Sequence, residues 1–216
     1  MPQTLPTEIL ESLQWRYATK HFDPARRIPA AHWDVIVESA RLAPSSYGLQ
    51  PWRMLQIDDP SLRVKLRTHT WNQAQVTDCS HFLVFTSLTH VDEPYIDRYV
   101  ERIAAERKVA PDKIEPYRRM MVGDLVNGQR SQIIPFWTQR QAYIALGVIL
   151  ETAALLRIDA CPLEGLEPPK YDSVLGLEGT GYSTVAAVAL GYRHAEDKYQ
   201  HLPKVRLRTD ELLQIR

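Results

Sequence analysis

The sequence predicts one helix-rich domain spanning 1–216, with about four short strands spread along it. Three observations carry that reading. Apolar residues recur at helical spacing over most of the chain, most clearly across 29–43 and 136–157. Phe82-Leu83-Val84-Phe85 is a nearly continuous apolar run, the mark of a strand covered on both faces. Strand patterns do not alternate regularly with helices, no GxGxxG follows the first strand, and no GxxxxGK[ST] occurs. Neither a doubly wound nucleotide-binding fold nor a P-loop is indicated.

Composition narrows the function classes. With 216 residues and 44% hydrophobic content, the chain can bury one substantial core or two small ones. Lys+Arg and Asp+Glu both number 26, and a zero net charge argues against a nucleic-acid protein and mildly favours self-association. The first residues show no apolar h-region, and no run approaches the ~18 apolar residues of a membrane span, so a cytoplasmic protein away from membranes is expected. Cys79 and Cys161 lie far apart, which fits a reducing cytosol better than a disulfide framework. Neither has CxxC or CxxH spacing and the seven histidines do not cluster, so no metal site is expected.

In chain order, 7–15 is a short amphipathic helix with Thr7 as N-cap and Ile9, Leu10 and Leu13 on one face. Arg16-Tyr17-Ala18-Thr19-Lys20-His21-Phe22 follows, either solvated surface or two cations converging on one anion. Pro29 suits the first position of the next helix, in which Trp33, Ile36, Val37 and Ala40 fall at i, i+3, i+4 and i+7. Between this helix and a short strand at 54–57 lies Pro44-Ser45-Ser46-Tyr47-Gly48-Leu49-Gln50-Pro51-Trp52. Prolines, serines and a glycine force a turn there, and its hydroxyls, carboxamide and N–H groups suit a flat, polar-edged ligand. A helix runs from 61 to about 77, with Trp71-Asn72-Gln73 at its end.

From 92 to about 130 the chain is charged and helical, with Arg98, Glu101, Arg102, Glu106 and Lys108 as i,i+4-type partners and a break at Asn127-Gly128. The helix at 136–157 is apolar on most sides, which implies burial in the domain or in a dimer interface. Cys161-Pro162-Leu163-Glu164-Gly165 is a second Pro/Gly turn, 169–175 a short helix ended by Gly176, and 183–190 the last strand. The polar tail carries Lys204 and Arg206, on one face if the segment is extended. If the fold joins them to Arg16 and Lys20, they make a phosphate site. Polar turns and the aromatic cover of Tyr47 and Trp71 would then complete a place for a phosphorylated planar cofactor.

Five pieces in order, from about residue 8 to 208, carry a resemblance. They are Arg16-Tyr17-Ala18-Thr19-Lys20 with Phe22, Pro44-Ser45-Ser46 with Gln50-Pro51-Trp52, Asn72, Pro162-Leu163-Glu164-Gly165, and Leu202-Pro203-Lys204-Val205-Arg206-Leu207. Together they resemble the FMN-dependent nitroreductase family, in particular the branch of oxygen-insensitive NAD(P)H nitroreductases and dihydropteridine reductases. The resemblance implies an α+β fold, a small and mostly antiparallel central sheet wrapped by helices. It implies an intertwined homodimer with two FMN sites lined by both subunits. The segment at about 193–216 would extend toward the partner, and 92–135 would be a helical excursion and lid.

By position, Arg16, Lys204 and Arg206 resemble the residues that hold the FMN phosphate, with Tyr17 and Ala18 beside them. Lys20 resembles the lysine at the pyrimidine end of the ring, where a cation eases hydride acceptance. Asn72 would bond the same edge. Pro44, Ser45, Ser46 and Gln50 would come from the neighbouring subunit. Pro162, Leu163, Glu164 and Gly165 would face flavin N5, with the Glu164 carboxylate at the substrate space. Tyr47, Trp71 and Met121 would border the substrate. Lys20 and Glu164 are thus the implied catalytic environment, with no obligatory acid or base. Ala18 stands where relatives often have a hydroxyl residue, Gln75 where some carry a second lysine, Tyr47-Gly48 for a Thr-Asn pair and Trp71 for a Phe. The implied activity is ping-pong, two-electron reduction of nitroaromatics, quinones or similar acceptors by NADH or NADPH. The alternatives are dehalogenation or flavin breakdown on the same fold, and a non-catalytic flavin carrier or sensor.

Overall fold

The computed structural model of the chain describes residues 6–216. Its centre is a sheet of β1 (Trp52–Gln56), β2 (His81–Leu88), β3 (Asp159–Leu163) and β4 (Tyr182–Gly191), in the order β1-β2-β4-β3 and antiparallel throughout. The two long strands sit in the middle, which is why Phe82 to Phe85 is apolar without interruption. Leu83 and Phe85 point to one face and Phe82 and Val84 to the other.

The first face is covered by α2 (Ala30–Leu42) and α7 (Ile134–Leu155). Ile36 and Ala40 of α2 and Ala145, Ile149 and Ala153 of α7 are fully buried against Leu83, Phe85, Ala186 and Val188. Pro29 is the N-cap of α2, one residue ahead of the expected place. On the second face, α3 (Pro60–Thr68), α4 (Gln75–Asp78) and α8 (Pro168–Leu175) bring Leu66, Val76 and Tyr171 against Phe82, Val84, Leu163 and Ala187. Asp59 caps α3 by accepting the Ser61 N–H at 2.8 Å, and left-handed Gly176 ends α8.

Three expectations are corrected. The first helix, α1 (Pro6–Trp15), already includes Thr7, so Thr7 does not cap it. The helix expected over 61–77 is broken, because Trp71 and Asn72 take left-handed backbone at φ 49° and 54°. Local side-chain bonds favour that break: Thr70 Oγ1 donates to the Leu66 carbonyl at 2.7 Å, and Arg67 Nε donates to Asn72 Oδ1 at 3.1 Å. The turn expected over 161–165 starts later, since Cys161, Pro162 and Leu163 belong to β3. Proline is tolerated there because β3 is an edge strand.

Helices α5 (Glu93–Arg107) and α6 (Glu115–Leu125) build a third apolar cluster with Leu49, Leu88 and Trp137 at one end of the sheet. The charges along α5 do not pair with one another as expected. Arg118 of α6 ties the two helices together instead, meeting Asp97 at 2.5 Å and Glu93 at 2.8 Å. Met121, expected to border the substrate, is fully buried in this cluster, which also holds Leu125 and Trp137. Helix α7 buries one side only. Phe136, Tyr143 and Ile144 stay exposed on the other, beside Gly147, which has nothing over it. The chain from 202 onward, including the short α9 (Thr209–Leu212), is exposed along its whole length. No helix among the described residues is long and apolar enough to cross a membrane.

Candidate functional site

The segment 16–22 lies along the β3 edge, where Ala18 forms a parallel bridge to Ala160. Buried Asp197 fixes it. Its carboxylate accepts the N–H groups of Lys20 at 2.8 Å and His21 at 3.0 Å, the Tyr17 hydroxyl at 3.0 Å and the Tyr199 N–H at 3.0 Å. Burial works to raise the Asp197 carboxyl, but these donors outweigh it and hold it below the ordinary carboxylate value. Burial and the bond to Asp197 push the Tyr17 phenol up. A second anchor lies beneath: Asp159 accepts from Thr19 at 3.3 Å and pairs with Arg193 at 2.6 Å.

This frame sets Lys20 Nζ 3.9 Å from Cys161 Sγ, with Gln75 Nε2 at 4.0 Å from the same sulfur. Burial pushes the Cys161 thiol up while Lys20 pulls it down. From the far end of the chain, Lys204 and Arg206 come to Arg16. Burial and then Arg206 lower the Arg16 pKa, and burial, Arg16, Arg206 and Arg193 lower that of Lys204. Among the described residues, none of Arg16, Lys20, Lys204 and Arg206 is in an ion pair. Lys204 donates to the Gln14 carbonyl, and Arg206 Nη1 to the Val205 carbonyl at 2.7 Å. Arg16 Nε is buried and has no partner. Repelling cations around an orphaned buried donor are the complement of an anion.

Beside this cluster, Trp71 lies over Gly165 so closely that a Cβ on Gly165 would be 2.7 Å from the Trp71 ring. Gln73 Nε2 donates to the Gly165 carbonyl at 3.4 Å, and the Glu167 N–H to the His69 carbonyl at 3.0 Å, binding the two loops together. Among the described residues the N–H groups of Glu164 and Gly165 donate to no backbone carbonyl. The Tyr143 hydroxyl donates to the Glu164 carboxylate. Tyr143, Gly147, Leu150, Pro162 and Glu164 line a cavity of about 440 Å³.

The loop after α2 stands apart. Its hydroxyls and amide are partly spent on itself: Ser45 Oγ accepts the Gln50 N–H at 2.9 Å, Gln50 Nε2 donates to the Arg41 carbonyl at 2.7 Å, and the Ser46 N–H donates to Gln141 at 2.8 Å. Pro44 and Ser46 remain exposed. Tyr47 is left-handed at φ 59°; its hydroxyl donates to Asp124 at 2.8 Å, and its carbonyl accepts from Tyr99 at 2.8 Å and Tyr117 at 2.9 Å. Gln50 is also left-handed, at φ 45°. Non-glycine residues cost roughly 1–3 kcal/mol each in such conformations and concentrate at functional sites. Here Tyr47, Gln50, Trp71 and Asn72 mark both loops. Within one chain, and among the described residues, no hydrogen bond or ion pair joins the 44–50 loop to Arg16, Lys20, Lys204 or Arg206.

The structure therefore gathers Arg16, Lys20, Gln75, Lys204 and Arg206, sets Trp71 against Gly165, and leaves Pro44 to Gln50 elsewhere. Sequence reasoning missed Asp197, Asp159, Arg193 and Tyr143. Asp197 and Asp159 act across more than a hundred residues of sequence, Arg193 joins Asp159 from 34 residues away, and Tyr143 is hidden in an apolar helix. It also missed that two histidines meet: the His21 and His194 rings stack with centroids 4.2 Å apart.

The model of the nitroreductase family matches residues 13–192. YfkO of Bacillus subtilis (strain 168), provisionally named an NAD(P)H nitroreductase, is 33% identical over 219 residues, covering 97% of each chain. Two solved structures share the fold. One is ydfN of Bacillus subtilis, a provisional nitroreductase (TM-score 0.83, 18% identity, 97% of this chain and 99% of that one). The other is a provisional nitroreductase of Exiguobacterium sibiricum 255-15 in complex with FMN (TM-score 0.79, 21% identity, 100% and 99%). The family match over most of the chain and the end-to-end similarity to YfkO place this protein in the nitroreductase family.

Proposed function

We propose that the protein is an FMN-dependent NAD(P)H oxidoreductase, working as a homodimer on nitroaromatics, quinones or similar acceptors, two electrons at a time. The single observation that carries the site is Arg16 Nε, buried without a partner beside Lys204 and Arg206, none of the three being in an ion pair among the described residues. That donor set fits a phosphate monoester. Arg offers a planar fork and Lys a point charge. When bound, FMN supplies hydride acceptance from NAD(P)H and two-electron delivery to the acceptor.

The protein's own residues bind, orient and tune. Arg16, Lys204 and Arg206 would hold the phosphate. Lys20, fixed at its own N–H by Asp197, brings a positive charge that favours negative charge on the nearby ring edge. Gln75 brings an amide to the same Cys161 sulfur that Lys20 meets, and Asn72, whose side-chain carbonyl oxygen accepts from Arg67, would offer its amide to the same edge. The uncommitted N–H groups of Glu164 and Gly165 offer donors at the reacting edge. Trp71 covers Gly165, and Glu164, oriented by Tyr143, borders the space in which reductant and acceptor take turns. Pro44, Ser45, Ser46 and Gln50, which stand apart within one chain, would serve the partner's site. The exposed Phe136, Tyr143 and Ile144 and the exposed tail support the dimer. Replacing both Lys204 and Arg206 with Ala is expected to give largely flavin-free protein. Full flavin retention at unchanged affinity would overturn the phosphate assignment.

A further inference from the structure

Next to the segment carrying Lys20, His21, His194 and Glu196 each bring one ligand atom to within 4.8 Å of the other two. Backbone, not chance proximity, sets this up. Phe22 and Arg193 pair in an antiparallel bridge, the His194 N–H donates to the His21 carbonyl at 2.9 Å, and the Asp23 N–H donates to the Tyr192 carbonyl at 2.8 Å. The two histidines are thus neighbours across a short ribbon, with rings stacked 4.2 Å apart at 26°. Glu196 follows in a turn closed by the Asp197 N–H onto the His194 carbonyl at 3.0 Å, and its carboxylate stands 3.8 Å from His194 Nδ1.

We propose that His21, His194 and Glu196 form a binding site for a borderline divalent transition-metal ion of the Zn²⁺ class. The two imidazoles decide the ion class: they are nitrogen donors that such ions prefer, whereas Mg²⁺ and Ca²⁺ take oxygen ligands. Bonds of about 2.0–2.2 Å need only modest closing of the three groups, and the exposed Glu196 side chain is free to turn inward. Three protein ligands leave the fourth tetrahedral position to water, which this exposed surface admits. The site is coupled to the segment carrying Lys20, because one Asp197 carboxylate oxygen accepts the N–H groups of both Lys20 and His21. A bound ion would pin that segment to the exit of β4.

The test is calorimetric titration of tag-free, flavin-loaded, metal-stripped protein with ZnCl₂, with thermal unfolding measured in parallel. One saturating site per chain and a raised Tm are expected. His21→Ala and His194→Ala should each weaken Zn²⁺ binding by more than about tenfold, and Glu196→Gln should weaken it as well. Unchanged flavin absorbance in each variant would show that these surface changes leave the fold intact. Absence of saturable Zn²⁺ binding, or binding unaffected by either histidine change, would overturn the proposal.

Discussion

Asp197 does for Lys20 what no sequence pattern announces. It accepts N–H groups from Lys20, His21 and Tyr199 and the Tyr17 hydroxyl, although it lies 177 residues from Lys20 in the chain. Asp197→Asn should cost about 1–3 kcal/mol at neutral pH, the range for disrupted bonds to a charged acceptor. Because the folded carboxyl is held below its ordinary value, its stabilisation is complete above the ordinary carboxylate range and fades as pH falls through the lowered value. Urea unfolding of the wild type and Asp197→Asn should therefore differ by a constant amount from about pH 5 to 8 and converge in acid. A gap that persists unchanged in acid would refute that role. Lys20→Ala should keep most of the flavin but slow its reduction by NAD(P)H, and stopped-flow rates equal to wild type would remove the role given to Lys20. The cations themselves were legible, because Arg16, Lys20, Lys204 and Arg206 are polar residues at recognisable spacings. Their anchors were not, since Asp159, Arg193 and Asp197 act through contacts that only the folded chain creates.

The site at the scale of elements depends on two interruptions that local patterns misstate. Apolar spacing continues from α3 toward α4, yet the Thr70 and Asn72 side chains stop the helix, and this break is what puts Trp71 over Gly165. Pro162 signals a turn, yet it lies opposite Val188 on an edge strand, so the turn begins only after Leu163. By contrast β2, α2 and α7 were visible, because their apolar spacing and their burial coincide. Gly165→Ala is expected to swing the exposed Trp71 ring aside rather than unfold the protein. Its stability should stay within about 1 kcal/mol of wild type, as for surface changes with room to relax, while relative activity across an acceptor panel shifts. An unaltered panel would show that Trp71 does not shape the acceptor space. Asp59→Ala, which removes the cap of α3, should cost about 1 kcal/mol by thermal or urea unfolding.

At the scale of the whole molecule, a single chain exposes apolar side chains and holds a strained loop apart from its cation cluster. Val205 and Ile215 are 87% and 93% exposed, Phe136 is 64% exposed, and the strained 44–50 loop makes no bond to the cation cluster of its own chain. A second copy would cover the apolar surfaces and bring the loop to the other site. Removing residues 208–216 is expected to weaken dimerisation in sedimentation experiments, and an undiminished dimer would contradict the reach assigned to the tail. The sheet and its wrapping helices follow from patterns within one chain, whereas the proposed completion of the site by a second chain is something that spacing alone does not encode. The most direct measurement is the visible absorbance of the purified protein before and after anaerobic NAD(P)H, then after a nitroaromatic or quinone. A flavin spectrum that bleaches with NAD(P)H and returns with the acceptor is predicted. A flavin that stays oxidised, or protein that takes up no FMN when soaked in it, would contradict the proposed oxidoreductase function.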